Sequence, residues 1–215
     1  KVYSVGYGLE DVKVEFSHDL KINVSEIQVE GKQGEIMNLP RWVAKILHSE
    51  NHIVIHEQDM IQELKQAKVK EDVQGEDSIS SLDKYFYIKL NDYMKNLPKD
   101  DFDKVESMLN QLIRIRQGKI IRLADSSQLT SDLGSKLSVE EEVFYNQIHN
   151  SSIEFKKQTE RILKKAIMER KNLGEEEIKT VHVLLAILLD QNNIVTLSFK
   201  HIHITYDIIL EEYES

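Results

Sequence analysis

The spacing of apolar residues divides the chain into a strand-like part and a helical part. Over residues 11–55 apolar and polar residues alternate, as at Val12, Val14 and Phe16, which is the pattern of half-buried β-strands. From Ser81 onward the apolar residues recur with helical spacing instead. This pattern predicts the α+β class, with a small N-terminal β-rich domain followed by a mainly α-helical bundle domain.

Two further features shape the β-rich part. Glu30–Gly34 has the residue types of a turn between strands. Leu39–Leu47 switches to helical spacing, with Pro40 suited to the first turn of a helix, and Ile53–Ile55 has the composition of a returning strand. We therefore expect a small sheet that is closed by one short helix.

Polar and helix-ending segments set the domain boundaries. Residues 57–78 are polar, and Leu173–Gly174 is typical of a helix stop. Beyond that stop, the apolar run Val181–Leu189 is expected to form a buried helix. We predict a β-rich domain at residues 1–58, a linker at 59–80, a helical domain at 81–172 and a C-terminal helical extension at 173–215.

The composition is that of a folded chain rich in helix. Of its 215 residues, 40% are hydrophobic and 30% are charged, and it has only two prolines and eight glycines. The absence of cysteine excludes disulfides, thiolate nucleophiles and cysteine-ligated zinc, and it fits a reducing intracellular compartment. No apolar run reaches the roughly 18–20 residues of a membrane-spanning helix. The alternating residues after Lys1 predict no signal peptide.

No motif for catalysis occurs in the sequence. The phosphate-binding, dinucleotide-binding, nucleophile-elbow and zinc-protease patterns are all absent. The densest acidic runs, Glu140–Glu142 and Glu175–Glu177, are expected at helix starts, where compensation of the helix dipole explains them. We therefore predict a protein that is not an enzyme and has no catalytic residue and no cofactor.

Some histidines recur with a spacing that metal sites also use. His48, His52 and His56 are four residues apart, but their run crosses from a predicted helix into a predicted strand. His201 and His203 alternate as they would on one face of a strand. The simplest interpretation is that these histidines are exposed or lie in turns, and we predict no metal site.

One basic segment stands out against a net charge of −9 and a pI near 5.4. Arg114, Arg116, Lys119 and Arg122 lie in a stretch without acids, and the last three follow a three-residue step. Such a stripe is a solvated face, an interface for an acidic partner or a modest DNA contact. We favour the interface, because a few cations on an acidic protein give limited affinity for phosphates.

Aromatic residues cluster on the first long predicted helix. Tyr85, Phe86, Tyr87 and Tyr93 are too dense to face only one side of it. Because aromatic residues are enriched at subunit contacts, Tyr85, Phe86 and Tyr93 are candidate interface residues. Packing in the core remains the alternative for Phe86 and Tyr93.

Several segments resemble the GINS family in the order in which they occur. Asn38–Leu47 resembles the helix that follows the sheet in the small β-domain of archaeal-type GINS subunits. Leu97–Phe102, Leu112–Ala124 and Leu137–Tyr145 resemble successive parts of the GINS α-domain. The resemblance covers roughly residues 11–165 and keeps the order of β-domain and then α-domain.

The resemblance implies a scaffold protein of DNA replication that has no active site. It implies a tetramer with other GINS subunits, held by α-domain helices, that joins MCM helicase to a RecJ-like partner and contacts DNA only weakly or indirectly. It also implies a location in the cytoplasm near the nucleoid, or in a nucleus, and no membrane partner. The candidate interface residues carried over by position lie in the β-domain's docking helix and the α-domain's basic segment: Leu39, Trp42 and Val43, with Arg114, Arg116, Lys119 and Arg122.

Residues 153–213 depart from this pattern. Arg161–Leu163, Leu173–Gly174 and His182–Leu188 resemble one repeat of the N-terminal domains of Clp ATPases, which normally carry two repeats. This resemblance implies an alternative function as a binding module or adaptor of a Clp-type protein-quality-control system. An enzyme of unrecognised type is the third interpretation.

Overall fold

The computed structural model of the chain describes residues 2–24, 27–56, 59–95 and 97–214. The chain forms two compact units, residues 1–148 and residues 149–215. A β-rich part opens the first unit and the rest of the chain is mainly helical, which confirms the predicted α+β class. Within the described residues, no helix is long and apolar enough to cross a lipid bilayer.

The β-rich part contains a three-stranded antiparallel sheet and a separate two-stranded antiparallel sheet. Its elements are α1 (Val2–Leu9), β1 (Asp11–Phe16), β2 (Leu20–Val24), β3 (Ile27–Gly31), β4 (Ile36–Pro40), α2 (Arg41–Ser49) and β5 (Ile53–Ile55). The sheet has the order β4-β1-β5, and β2 pairs with β3. The strands that we predicted from alternation are present. The helix that we predicted over Leu39–Leu47 begins only at Arg41, because Leu39 and Pro40 pair with β1 as the end of β4. Helix α1 was not predicted, because its two glycines lower its helix propensity.

One face of β1 forms the core of this part. Val14 and Phe16 are buried and pack with Val43 of α2, as the alternating pattern requires. A Cβ atom at Gly31 would lie 2.4 Å from the Phe16 ring, so only glycine fits there. Gly34 has a φ of +79° and completes the predicted turn.

A helical bundle forms the remainder of the first unit. Its elements are α3 (Met60–Val73), α4 (Phe86–Met94), α5 (Lys99–Ser126), α6 (Ser131–Gly134) and α7 (Val139–Asn172), whose last part belongs to the second unit. Helices α3, α4 and α5 share one core that includes Leu64, Phe86, Leu90 and Leu112. The predicted helix after Ser81 begins only at Phe86.

The segment that we predicted as a linker, residues 59–80, differs from that prediction. Met60, Leu64 and Ala67 of α3 are buried, and their spacing of four and three residues is that of a helix face. Asp59 caps the helix by accepting from the amides of Ile61 and Gln62. Because this apolar face packs in the bundle, most of the segment is part of the helical core. The predicted boundary at 172/173 falls at the end of α7, and as a domain boundary it stays a prediction.

The second unit contains α7 from residue 149 onward with α8 (Thr180–Leu188), α9 (Ile194–His201) and α10 (Tyr206–Glu214). Helix α7 ends at the predicted stop, where Gly174 has a φ of +68°. Leu185, Ala186 and Leu188 are buried, as we expected for much of the apolar run, although Leu189 is exposed. The alternating residues 201–205 form no strand: His201 ends α9, and residues 202–205 connect it to α10.

Candidate interaction surfaces

Ser138 and Glu141 have the residue types and the three-residue spacing of a capping box, and helix α7 begins with one. The amide of Ser138 donates to Oε2 of Glu141 over 3.1 Å, and the amide of Glu141 donates to Oγ of Ser138 over 3.2 Å. Both residues are buried. The cap therefore fixes the Glu141 carboxylate at the first turn of the helix.

Arg116 of α5 binds this carboxylate and a second one. Its Nε and Nη2 donate to the two oxygens of Glu141 over 2.7 and 2.8 Å, and its Nη1 donates to Oε2 of Glu71 over 2.7 Å. The residue is only 1% exposed. Burial by itself would lower the pKa of Arg116, but the bonds and charges of Glu141 and Glu71 outweigh it, so the pKa is raised. The guanidinium is permanently charged, and its hydrogen bonds connect α5 to α3 and α7.

Glu71 of α3 is the second anion of this buried network. Its Oε1 lies 2.7 Å from Nζ of Lys119, and the hydroxyl and amide of Ser80 donate to its Oε2. Burial alone would raise the pKa of Glu71, but the bonds from Lys119 and Ser80 and the charge of Arg116 lower it overall. Glu71 is therefore held as a carboxylate inside the bundle.

Tyr87 of α4 completes the network. Its hydroxyl donates to Oε1 of Glu141 over 2.7 Å. Burial and the neighbouring charge of Glu141 raise the pKa of Tyr87. The phenol thus stays protonated and serves as a hydrogen-bond donor.

Half of the predicted interface residues are buried inside the first unit, and the prediction that they face a partner does not fit this placement. Arg116 and Lys119 point into the bundle, where they donate hydrogen bonds to buried acids and backbone carbonyls. They therefore do not form a solvated stripe. The apolar members fill the two hydrophobic cores. The buried residues are Leu39, Val43, Phe86, Arg116 and Lys119.

The other five candidates reach the surface. Arg114 and Arg122 are exposed, while Trp42, Tyr85 and Tyr93 are half-buried. Tyr85 packs on Tyr7 with a ring-centroid distance of 5.9 Å. Arg114 and Arg122 lie on α5, Trp42 lies on α2 and Tyr93 lies on α4, and the role of all five as interface residues stays a prediction.

The histidine run does not share one helical face. His48 is exposed at the end of α2, His52 bonds to His18 over 3.0 Å, and His56 bonds to Glu15 over 3.0 Å. Among the described residues, no group of three or more acids, histidines or cysteines is placed to hold a metal ion.

The acidic runs differ in their placement. Glu140–Glu142 lies in the first turn of α7, as predicted. Glu175–Glu177 lies in the loop before α8, so that prediction of a helix start was wrong; Glu175 instead pairs with Lys179 over 2.8 Å.

An apolar groove that sequence reasoning missed lies between α4, α5 and α7. Its volume is about 400 Å³. Ile113 in its wall is 38% exposed, and nearby Val143 of α7 is 37% exposed. The signal for it is that the apolar face of α5 is wide: Leu109 packs beside the core that holds Leu112, and Ile113 extends the face to the surface. The residues that line the groove are Tyr87, Leu109, Ile113, Gln117, Ile120, Glu140, Glu141 and Phe144.

Comparison with known proteins identifies the bundle. Residues 57–160 match a family model described as "Sld5: GINS complex protein helical bundle domain". The matched range contains α3, α4, α5 and α6, the buried network around Arg116 and the whole groove. No protein with curated annotation matches the chain significantly.

Proposed function

The chain is a member of the GINS family, whose helical bundle domain it carries over residues 57–160, and on that premise we propose that it acts as a non-catalytic scaffold. GINS proteins are DNA replication factors that associate with one another. The proposal is that this chain is one subunit of a GINS tetramer of the archaeal type, which links MCM helicase to a RecJ-like partner as a helicase accessory.

The observation that carries the proposal is an apolar groove on a bundle of the GINS type. A folded bundle that leaves Ile113 and Val143 exposed beside a groove has a surface suited to another protein. Arg116 forms buried ion pairs with Glu71 and Glu141 inside the fold. This supports a structural role, and not a catalytic one, for these three residues. Exposed Arg114 and Arg122 remain candidates for contacts with an acidic partner or with DNA.

Affinity purification of the tagged chain from its native cells tests the proposal. We expect other GINS subunits, MCM helicase and a RecJ-like protein among the retained proteins, and a complex without ATPase or nuclease activity of this chain's own. If the retained proteins include GINS subunits but neither MCM nor the RecJ-like protein, the linking role is wrong. An activity that tracks with this chain through purification would contradict the non-catalytic role.

A second candidate function is favoured by one observation. Residues 149–215 form a compact unit of their own, and most of that unit lies beyond the matched GINS range. This supports the alternative that the C-terminal unit is a binding module for a Clp-type protein-quality-control ATPase. Retention of a Clp ATPase by the full chain, lost when residues of this unit are changed, would support it; retention of replication proteins alone would reject it.

A further inference from the structure

We propose that the groove between α4, α5 and α7 receives a helix of a separately encoded GINS subunit, which places an aliphatic side chain in the groove and a lysine or arginine beside Glu140. The inference rests on the proposed function. It adds which face of the bundle is used and which chemistry the partner must present.

The apolar half of the proposal follows from the walls of the groove. Leu109 and Ile113 of α5 face Phe144 of α7 across a space of about 400 Å³. Water in such a space finds few hydrogen-bond partners, so an aliphatic side chain replaces it favourably. Val143, 37% exposed and one turn after Glu140, extends the apolar surface beyond the groove.

The charged half of the proposal follows from Glu140. Its Oε2 atom is buried, yet it receives no hydrogen bond from the described part of the chain, and Glu140 takes part in none of the ion pairs found there. Glu140 as a whole is half-buried, and a carboxylate oxygen that is withdrawn from water without a donor is unfavourable. The groove therefore presents a negative charge that no cation among the described residues pairs with.

The neighbouring charged groups are already engaged elsewhere. Glu141, the other acid in the groove, is bound by Arg116 and Tyr87. Lys45 and Lys95 share a second cavity with Glu140, but each donates to Asp92 over 2.9 Å. Neither lysine binds Glu140, so in the proposal the occupant of the groove supplies its cation.

Charge also decides which occupant fits. A second copy of this chain carries the same net charge of −9, which disfavours self-association at an acidic site. A different GINS subunit with a basic residue next to an aliphatic one on a helix supplies both missing contacts. Charge complementarity of this kind gives specificity between related partners.

The test measures the affinity of the purified full chain for the GINS subunit that co-purifies with it. Glu140→Gln is expected to raise the Kd about 10-fold, and Glu140→Lys and Ile113→Asp about 100-fold. Glu142→Gln is the matched control for charge, because Glu142 lies about 200° around α7 from Glu140. Val69→Asp, at a position 61% exposed on α3, is the control for a new acid. Both controls should bind like the wild type.

A second readout separates docking from folding. In the isolated chain, Glu140→Gln removes a favourable interaction with the helix dipole but also removes an uncompensated charge, so its Tm should change by less than about 3 °C. A loss of affinity accompanied by a large drop in Tm would mean that Glu140 serves the fold, and would overturn the proposal.

Photo-crosslinking identifies the occupant within the native complex. A photoreactive residue at position 113 should link to a separately encoded GINS subunit, within one helical turn of a lysine or arginine, while the same residue at position 69 should not. Changing that cation to glutamate should restore binding to Glu140→Lys. A crosslink to a second copy of this chain, or to a segment without a cation, would overturn the proposal.

Different results would contradict the proposed function and the inference about the groove. If the wild-type chain retains no GINS subunit, the proposed function itself is wrong. If the complex forms and the groove variants all bind like the wild type, only the inference about the groove is wrong.

Discussion

Arg116 and Glu141 are joined by two hydrogen bonds, of 2.7 and 2.8 Å, although 25 residues separate them in the sequence. The paired geometry is the strongest that arginine and a carboxylate form. Because the same carboxylate caps α7 and the same guanidinium binds Glu71 of α3, this pair connects three helices. It thereby sets the spacing of the α5 and α7 walls of the groove.

Replacing the arginine should destabilise the first unit severely. Arg116→Met keeps the length of the side chain but leaves Glu71 and Glu141 buried without their cation, at a cost of about 3–5 kcal/mol. Urea unfolding followed by circular dichroism measures this change. The matched control, Arg114→Met at an exposed position on the same helix, should change the free energy of unfolding by less than about 0.5 kcal/mol. Equal effects of the two variants would mean that the buried pair has no special role.

Glu71 should make the fold sensitive to acid. Its pKa in the folded chain lies below the ordinary value of 4.5. Folding therefore gains stability from Glu71 at pH values above 4.5 and loses it as the pH falls through the lowered pKa. In unfolding titrations at pH 3 to 7, Glu71→Gln should be less stable than the wild type near neutrality, and the difference should shrink toward pH 3. A difference that stays constant across this range would contradict the ionised state of Glu71.

Two glycines should respond to alanine in opposite directions. Gly118 lies inside α5, and a Cβ atom there would meet nothing within 4 Å, so Gly118→Ala should stabilise the isolated chain by about 1 kcal/mol. Gly31→Ala should destabilise it, because the new Cβ would lie 2.4 Å from the Phe16 ring. Thermal unfolding of the two variants measures both changes. Stabilisation by Gly31→Ala would show that the packing of Phe16 is not as described.

The second unit depends on a tyrosine that binds a buried acid. The hydroxyl of Tyr206 donates to Oε2 of Glu169 over 2.6 Å, and this bond, together with burial, raises the pKa of Tyr206 to about 12. Its contribution to stability is present below the ordinary pKa of about 10 and is lost as the pH rises through 12. Tyr206→Phe removes the bond at every pH.

Hydrogen exchange of the α10 amides measures this contribution locally. We expect Tyr206→Phe to speed their exchange about 10-fold near neutral pH, since a hydrogen bond to a charged group contributes about 1.5–3 kcal/mol. Tyr93→Phe, in the first unit, serves as the control and should leave α10 unchanged. Unaltered exchange in Tyr206→Phe would contradict the role of this bond.

Local patterns predicted much of the secondary structure and some of its fine detail. Alternation gave β1, and the residue types at 138 and 141 gave the capping box, because both depend on near neighbours in the sequence. Ile61 and Leu64 allow a short helix in the predicted linker, but its many polar residues hid the length of α3 and the burial of Met60, Leu64 and Ala67.

The sequence did not predict which charged side chains point into the bundle. A three-residue step groups Arg116, Lys119 and Arg122, but it does not say which of them points into the bundle. The answer depends on Glu71, which lies 45 residues before Arg116 and within the segment predicted as a linker. The groove was missed for the same reason, since it exists only where α4, α5 and α7 meet.

Native mass spectrometry of the complex purified from the source cells tests whether the chain is a GINS scaffold. The account predicts a complex of four GINS subunits that contains this chain, and smaller masses for Arg116→Met at the same concentration. A chain that remains a monomer beside purified GINS subunits, and that retains neither MCM helicase nor a RecJ-like protein, would contradict it.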